Sequence, residues 1–147
     1  MKLHEWLQEA TEKLESADVG TARLDLLVLL EDCLNTSRAQ LLAHPERELT
    51  NEQIKQLEPR LKRRIKHEPL AYIRNKTEFY GRQFYIDHHV LEPRPESETM
   101  IDQLKALGIP PTIIIIDIGT GSGALAITAK LELPLTEVVA TDIDENC

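Results

Sequence analysis

Ile113-Ile-Ile-Ile-Asp-Ile-Gly-Thr-Gly-Ser-Gly123 decides how this chain is read. Consecutive isoleucines are comfortable only where both faces of the segment are buried, the pattern of a parallel strand. The run is far shorter than the roughly 20 apolar residues a membrane span needs. It ends at Asp117, and glycine then takes every second position: Gly119, Gly121 and Gly123, with Thr120 and Ser122 between them. Ala124-Leu-Ala-Ile-Thr-Ala-Lys130 continues with helical spacing. Strand, glycine turn and helix in this order form the first half of a nucleotide-binding unit. Residues without a Cβ let the backbone turn sharply and approach a ligand, and the first helical N–H groups face it with partial positive charge. Pro134 ends the helix, Glu137-Val-Val-Ala-Thr141 reads as a second short strand, and Asp142 stands at its C-terminal end.

Upstream, Pro110-Pro111 stiffens the approach to the isoleucine strand. Met100, Ile101, Leu104 and Leu107 mark an amphipathic helix that ends near Gly108, and Glu96 and Glu98 suit its N-terminus. Pro93 and Pro95 force extended chain before it. In Thr77-Glu-Phe-Tyr-Gly-Arg-Gln-Phe-Tyr-Ile-Asp87 aromatic residues flank Gly81-Arg82, which predicts a hairpin with a type II′ loop at that pair. His88-His89 follows on what reads as extended chain. Adjacent side chains there point in opposite directions, so no shared metal is expected.

The first half has a different rhythm. Leu3, Trp6, Leu7, Ala10 and Leu14 recur at helical spacing over residues 2–16. Residues 21–34 carry leucine around most of the circumference, as the central helix of a small bundle would. Ser37 suits the N-cap of a short helix ending near Ala43. Thr50-Asn-Glu-Gln53 is a capping box that opens a helix running to Lys66, with a kink or a break expected at Pro59. The end of that helix, Arg60-Leu-Lys-Arg-Arg-Ile-Lys66, is basic. A solvated helix face explains it; a contact for an acidic surface or RNA is the alternative. The expected organisation is α/β: a helical domain over residues 1–74, a β-hairpin linker over 75–92, and the start of a Rossmann-like domain over 93–147.

The 147 residues are 41% hydrophobic and 29% charged, with net charge −8. That balance suits a globular protein and argues against a general nucleic-acid-binding surface. Cys33 and Cys147 make neither a disulfide framework nor a metal spacing. The charged start, Met1-Lys-Leu-His-Glu-Trp-Leu-Gln-Glu9, lacks the apolar core of a signal peptide. A cytoplasmic monomer without membrane attachment or direct nucleic-acid contact is expected.

Two ligand classes compete for Asp117, Gly119, Thr120, Gly121, Ser122, Gly123 and Asp142. Gly119, Gly121 and Ala124 formally satisfy the dinucleotide pattern, with Asp142 on a ribose of NAD. S-adenosylmethionine gives Asp117 a clearer purpose. A carboxylate at the strand end accepts hydrogen bonds from the ligand's cationic amino group, whereas beside a pyrophosphate it would repel. Asp142 would take the two ribose hydroxyls, since one carboxylate accepts two bonds at once. The chemistry favours S-adenosylmethionine; a glycine turn without a ligand is the bland alternative.

Five stretches, in this order, resemble the release-factor glutamine methyltransferases of the PrmC/HemK family. They are Pro69-Leu-Ala-Tyr-Ile73, Glu78-Phe-Tyr-Gly81, Leu91-Glu-Pro-Arg-Pro-Glu-Ser-Glu98, Asp117-Ile-Gly-Thr-Gly-Ser-Gly-Ala124 and Ala140-Thr-Asp142. Ala22-Arg-Leu-Asp25 resembles the family's N-terminal domain as well. The glycine motif is shared by many methyltransferases; the hairpin followed by Pro-Arg-Pro-Glu is far more specific. The resemblance implies methyl transfer from S-adenosylmethionine to the side-chain nitrogen of the glutamine in the Gly-Gly-Gln motif of class 1 peptide chain release factors. It implies a helical domain that helps dock the release factor. Asp117, Gly119 to Gly123 and Asp142 would line the cofactor site, with Arg94 to Glu98 near it.

The family's catalytic motif, Asn-Pro-Pro-Tyr, is absent from these residues, and Pro110-Pro111 has neither its flanks nor its place. In the family that motif orients the target amide toward the methyl-bearing sulfur, so positioning supplies much of the rate. No residue here is assigned as catalytic and none as a metal ligand. The expectation is an N-terminal portion of a methyltransferase, inactive by itself. The other readings are an N-methyltransferase of another protein or of nucleic-acid bases, and a docking module without catalysis.

Overall fold

Leu3, Trp6, Leu7, Ala10 and Leu14 fall on one stripe of helix α1 (Leu3–Glu15), and all five are buried. They pack against α2 (Ala22–Leu34), whose buried residues go round the helix: Ala22, Asp25, Leu26, Leu27, Leu29, Leu30 and Leu34. α2 is the central helix that its leucine content predicts, touching α1, α3 (Arg38–Ala43), α4 (Asn51–Ile65) and α5 (Leu70–Arg74). This computed structural model describes residues 1–147, and its contacts divide them into two units, Met1–Arg74 and Asn75–Cys147.

Helix starts in the first unit follow their caps. The Gln53 amide donates to Thr50 Oγ1 at 3.2 Å and the Thr50 amide to Gln53 Oε1 at 2.9 Å, the reciprocal pair that opens α4. Ser37 accepts from the Gln40 amide at 3.4 Å at the start of α3. Of the kink or break expected at Pro59, the break is absent: one helix runs through it. Pro59 lies on the exposed side, so the carbonyl it cannot bond faces water, while Leu57 and Leu61 on either side of it are buried.

The basic run at the end of α4 turns partly inward. Arg64 Nε donates to Asp25 Oδ2 at 2.7 Å, and Thr21 Oγ1 donates to the same oxygen at 2.9 Å. The two side chains are 17% and 8% exposed, so this ion pair ties α4 to α2 inside the bundle. Arg63 pairs with Glu68 and donates to the Tyr72 carbonyl at 3.1 Å. Arg74 grips both oxygens of Asp32, at 2.7 and 3.2 Å. Intramolecular pairing thus accounts for Arg63 and Arg64 without an external partner.

The second unit begins with a hairpin, β1 (Lys76–Phe79) antiparallel to β2 (Arg82–Tyr85). Phe79 pairs with Arg82, so the two-residue loop is Tyr80-Gly81 rather than the predicted Gly81-Arg82. Both loop residues have positive φ, +52° and +69°, the signature of type I′ instead of II′. Contacts from elsewhere hold a tyrosine in that unfavourable region. Its amide donates to Glu98 Oε1 and its hydroxyl to Asp102 Oδ1, both at 2.7 Å. Phe79 and Phe84 meet edge to face, 6.3 Å between centroids, and enter the unit's core with Ile101, Ala124 and Ala129.

A 3-10 turn, Pro95–Ser97, leads into α6 (Glu98–Ala106). Glu132 at the end of α7 (Ala124–Glu132) receives Arg82 and Lys105, each at 2.6 Å, and so links the hairpin, α6 and α7. Strands β3 (Ile114–Ile118) and β4 (Glu137–Thr141) pair in parallel, Ile114 opposite Glu137 and Ile118 opposite Thr141. Burial of the isoleucine run is one-sided. Ile115 packs in the core cluster that holds Ile101, Leu104 and Leu125, while Ile114, Ile116 and Ile118 are 52, 61 and 84% exposed. The expected burial of both faces is not met, because α6 and α7 pack over the Ile115 side alone. No helix is long and apolar enough to cross a membrane.

Candidate cofactor site

Parallel pairing sets Asp117 opposite Ala140 and Ile118 opposite Thr141, so Asp117 and Asp142 both stand near the C-terminal ends of neighbouring strands. The chain between β3 and α7 turns sharply, with φ of +79°, +53° and +74° at Gly119, Gly121 and Gly123. Only glycine adopts those angles without strain. A Cβ on Gly119 would meet nothing within 4 Å, so that stretch of backbone is open to a ligand. A Cβ on Gly121 would come 3.9 Å from Val90, and one on Gly123 would press within 3.0 Å of the Ile127 side chain. At Gly123 it is the positive φ that calls for glycine, since the end of the half-exposed Ile127 side chain could shift to admit a Cβ.

Hydrogen bonds preset the turn. Gly119 and Thr120 amides both donate to the Thr141 carbonyl, at 2.8 and 3.0 Å, which moors the turn to the end of β4. Thr120 Oγ1 donates to Asp117 Oδ2 at 2.8 Å. The Gly121 amide donates to Asp142 Oδ2 at 2.8 Å, and the Asp144 amide to Asp142 Oδ1 at 3.1 Å. Each carboxylate oxygen has more than one lone pair, so acceptor capacity remains on both aspartates. Ser122 and Gly123 lead into the N-terminus of α7, and the Gly123 amide donates back to the Thr120 carbonyl at 3.0 Å.

The Gly121 amide, and then that of Asp144, hold the Asp142 carboxyl below the usual aspartate range. A depressed folded pKa gives stability that is present above the unfolded value, near pH 4, and is lost as the pH falls through the folded value. The Gly121 amide resonance should therefore titrate with a midpoint below that of an ordinary aspartate and stay flat from pH 5 to 8. A midpoint at or above the ordinary value would refute the Gly121–Asp142 bond.

Beside the turn lies an open cleft of ≈ 500 Å³, lined among others by Tyr85, Val90, Ser122, Ile127 and Asn146. Sequence reading places the glycine turn and both aspartates correctly in relation to the strands but misses Val90, which faces Gly121 across a gap of one methyl group. An apolar residue in irregular chain carries no signal that would reveal this. Glu98, in the Arg94 to Glu98 stretch expected near the cofactor, accepts the Tyr80 amide hydrogen at the hairpin loop, at 2.7 Å.

Residues 5–74 match the family model of the PrmC N-terminal domain. The first unit belongs to the PrmC N-terminal domain family. Residues 98–147, which contain α6, the glycine turn and Asp142, match the family model of ribosomal protein L11 methyltransferase (PrmA). A release factor glutamine methyltransferase of Koribacter versatilis is 40% identical over 146 residues, 97% of this chain and 51% of that protein. One from Coxiella burnetii is 44% identical over 123 residues, 83% and 44%. A bifunctional methyltransferase of Rickettsia bellii is 34% identical over 168 residues, 96% and 30%. The chain thus spans about half the length of the release factor glutamine methyltransferases it matches, and about a third of the bifunctional one. Its likeness to methyltransferases extends over both units.

Proposed function

We propose that this chain forms the substrate-docking and cofactor-holding portion of a protein-glutamine methyltransferase of the PrmC/HemK family. Its methyl donor is S-adenosylmethionine and its target the glutamine nitrogen in the Gly-Gly-Gln motif of class 1 peptide chain release factors. The observation that carries the reading is the pair Asp117 and Asp142 at adjacent strand ends, with an open glycine backbone between them.

The residues fit that cofactor. Its net charge is positive, and two carboxylates attract it, whereas the pyrophosphate of NAD would meet the same charges with repulsion. Asp117 holds the amino group, Asp142 accepts from the ribose hydroxyls, and Gly119 to Gly123, with Thr120 and Ser122, give the backbone access a bulkier turn would deny. When bound, the cofactor supplies an electrophilic methyl group on its sulfonium. These residues fix its position. Orientation of the target amide falls to residues outside those described here, since no Asn-Pro-Pro-Tyr occurs among them. We accordingly propose that residues 1–147 alone do not turn over. The helical unit, with its own core, is assigned to docking the release factor, and the protein to the cytoplasm as a monomer.

The test is methyl transfer by the protein expressed from its whole natural reading frame. Incubation with a release factor and methyl-labelled cofactor should label the factor, and a Gln→Ala change in its Gly-Gly-Gln motif should remove the label. Label on RNA or DNA with none on the factor would replace this reading by nucleic-acid methylation.

A further inference from the structure

The residues after β2 form a turn, not the extended chain their sequence suggests. Asp87 Oδ1 accepts the His89 amide hydrogen at 2.9 Å, and the Asp87 carbonyl accepts that of Val90 at 3.3 Å. The turn brings consecutive imidazoles to the same side, their ring centroids 4.0 Å apart and their planes inclined by 40°. One side-chain donor atom each from Asp87, His88 and His89 lie within 4.8 Å of one another. A fourth donor comes from a different segment: Asp144 Oδ2, beyond β4, lies 3.4 Å from His89 Nδ1.

We propose that Asp87, His88, His89 and Asp144 form a binding site for a divalent first-row transition ion of the zinc type. The donor set is two imidazole nitrogens and two carboxylates. Imidazole selects zinc, nickel or copper over magnesium and calcium, which prefer all-oxygen sites. Tetrahedral coordination with bonds of about 2.0–2.1 Å sets donors about 3.4 Å apart. The His89–Asp144 pair already has that spacing. The remaining donors need only side-chain rotation, which exposed histidines permit. A bound ion would join the 87–89 turn to the segment after Asp142 and brace one rim of the cleft that Asp87, Val90, Ser122 and Asn146 line. The site is independent of the methyl-transfer reading, since neither Asp117 nor Asp142 belongs to it.

Calorimetric titration of the untagged protein with zinc chloride tests it, with magnesium chloride as control. One zinc ion per chain is expected, and no heat from magnesium. The double variant H88N/H89N should lose affinity about ten-fold or more. Asp144→Asn should lose less, and both variants should keep the parent's far-ultraviolet spectrum because all three side chains are at the surface. No zinc uptake by the parent, unchanged affinity in the double variant, or equal binding of magnesium would each overturn the proposal.

Discussion

Replacing Asp117 by asparagine is expected to weaken binding of S-adenosylmethionine by about 10- to 100-fold. The substitution keeps the size of the side chain and an oxygen that can accept from Thr120 Oγ1, now at 2.8 Å from the carboxylate. It removes the charge that the proposed site sets against the ligand's ammonium group. A hydrogen bond to a charged group contributes about 1.5–3 kcal/mol, and 1.4 kcal/mol is a factor of ten in affinity. Calorimetric titration of the protein from its whole reading frame reads the change directly. Asp117→Asn should also narrow the preference over NAD, because the lost carboxylate no longer repels a pyrophosphate. Unchanged affinity would mean that the ammonium group lies elsewhere and that Thr120 is the only partner of Asp117.

The second large effect falls on stability. Leu30 is fully buried in α2, the helix on which the other helices of the first unit pack. Leu30→Ala should cost about 3–4 kcal/mol, the transfer loss of the side chain plus the cavity it leaves. A unit of this size has a total stability of about 4–11 kcal/mol, so the change removes a large share of it. Trp6 is the chain's single tryptophan and lies in that same core, so its fluorescence in urea reports the first unit selectively. The midpoint should fall by about 2 M or more for a slope near 1–1.5 kcal/mol per M. A shift under about 0.5 M would show that α2 is not the centre of the bundle.

Periodic and local signals were legible in the sequence. The stripe of α1, the leucine-rich α2, the capping box at Thr50–Gln53 and the strand–glycine turn–helix around Gly119–Gly123 all stand in the structure at their expected places. Each depends on residues within about one or two turns of each other. What the sequence concealed depends on residues far apart. The hairpin loop moved by one residue because α6 holds Tyr80 through Glu98 and Asp102. Pro59 is tolerated inside α4 because of which way that side of the helix faces. The two histidines converge because Asp87 folds the chain back on itself. Arg63 and Arg64 look like part of a cationic surface until their partners Glu68 and Asp25 are seen. The candidate site divides the same way. Asp117 and the glycines belong to one short motif, but only strand pairing brings Asp142 to the Gly121 amide.

Under the proposed function, this fold serves methylation of a release-factor glutamine. That role is tested most directly by the mass spectrum of the Gly-Gly-Gln peptide. The peptide would come from a release factor incubated with S-adenosylmethionine and the protein from its whole reading frame. One added methyl group is expected on the glutamine side-chain nitrogen, absent when Asp117→Asn enzyme is used at low cofactor concentration. An unmodified glutamine alongside turnover of the cofactor on another substrate would contradict it.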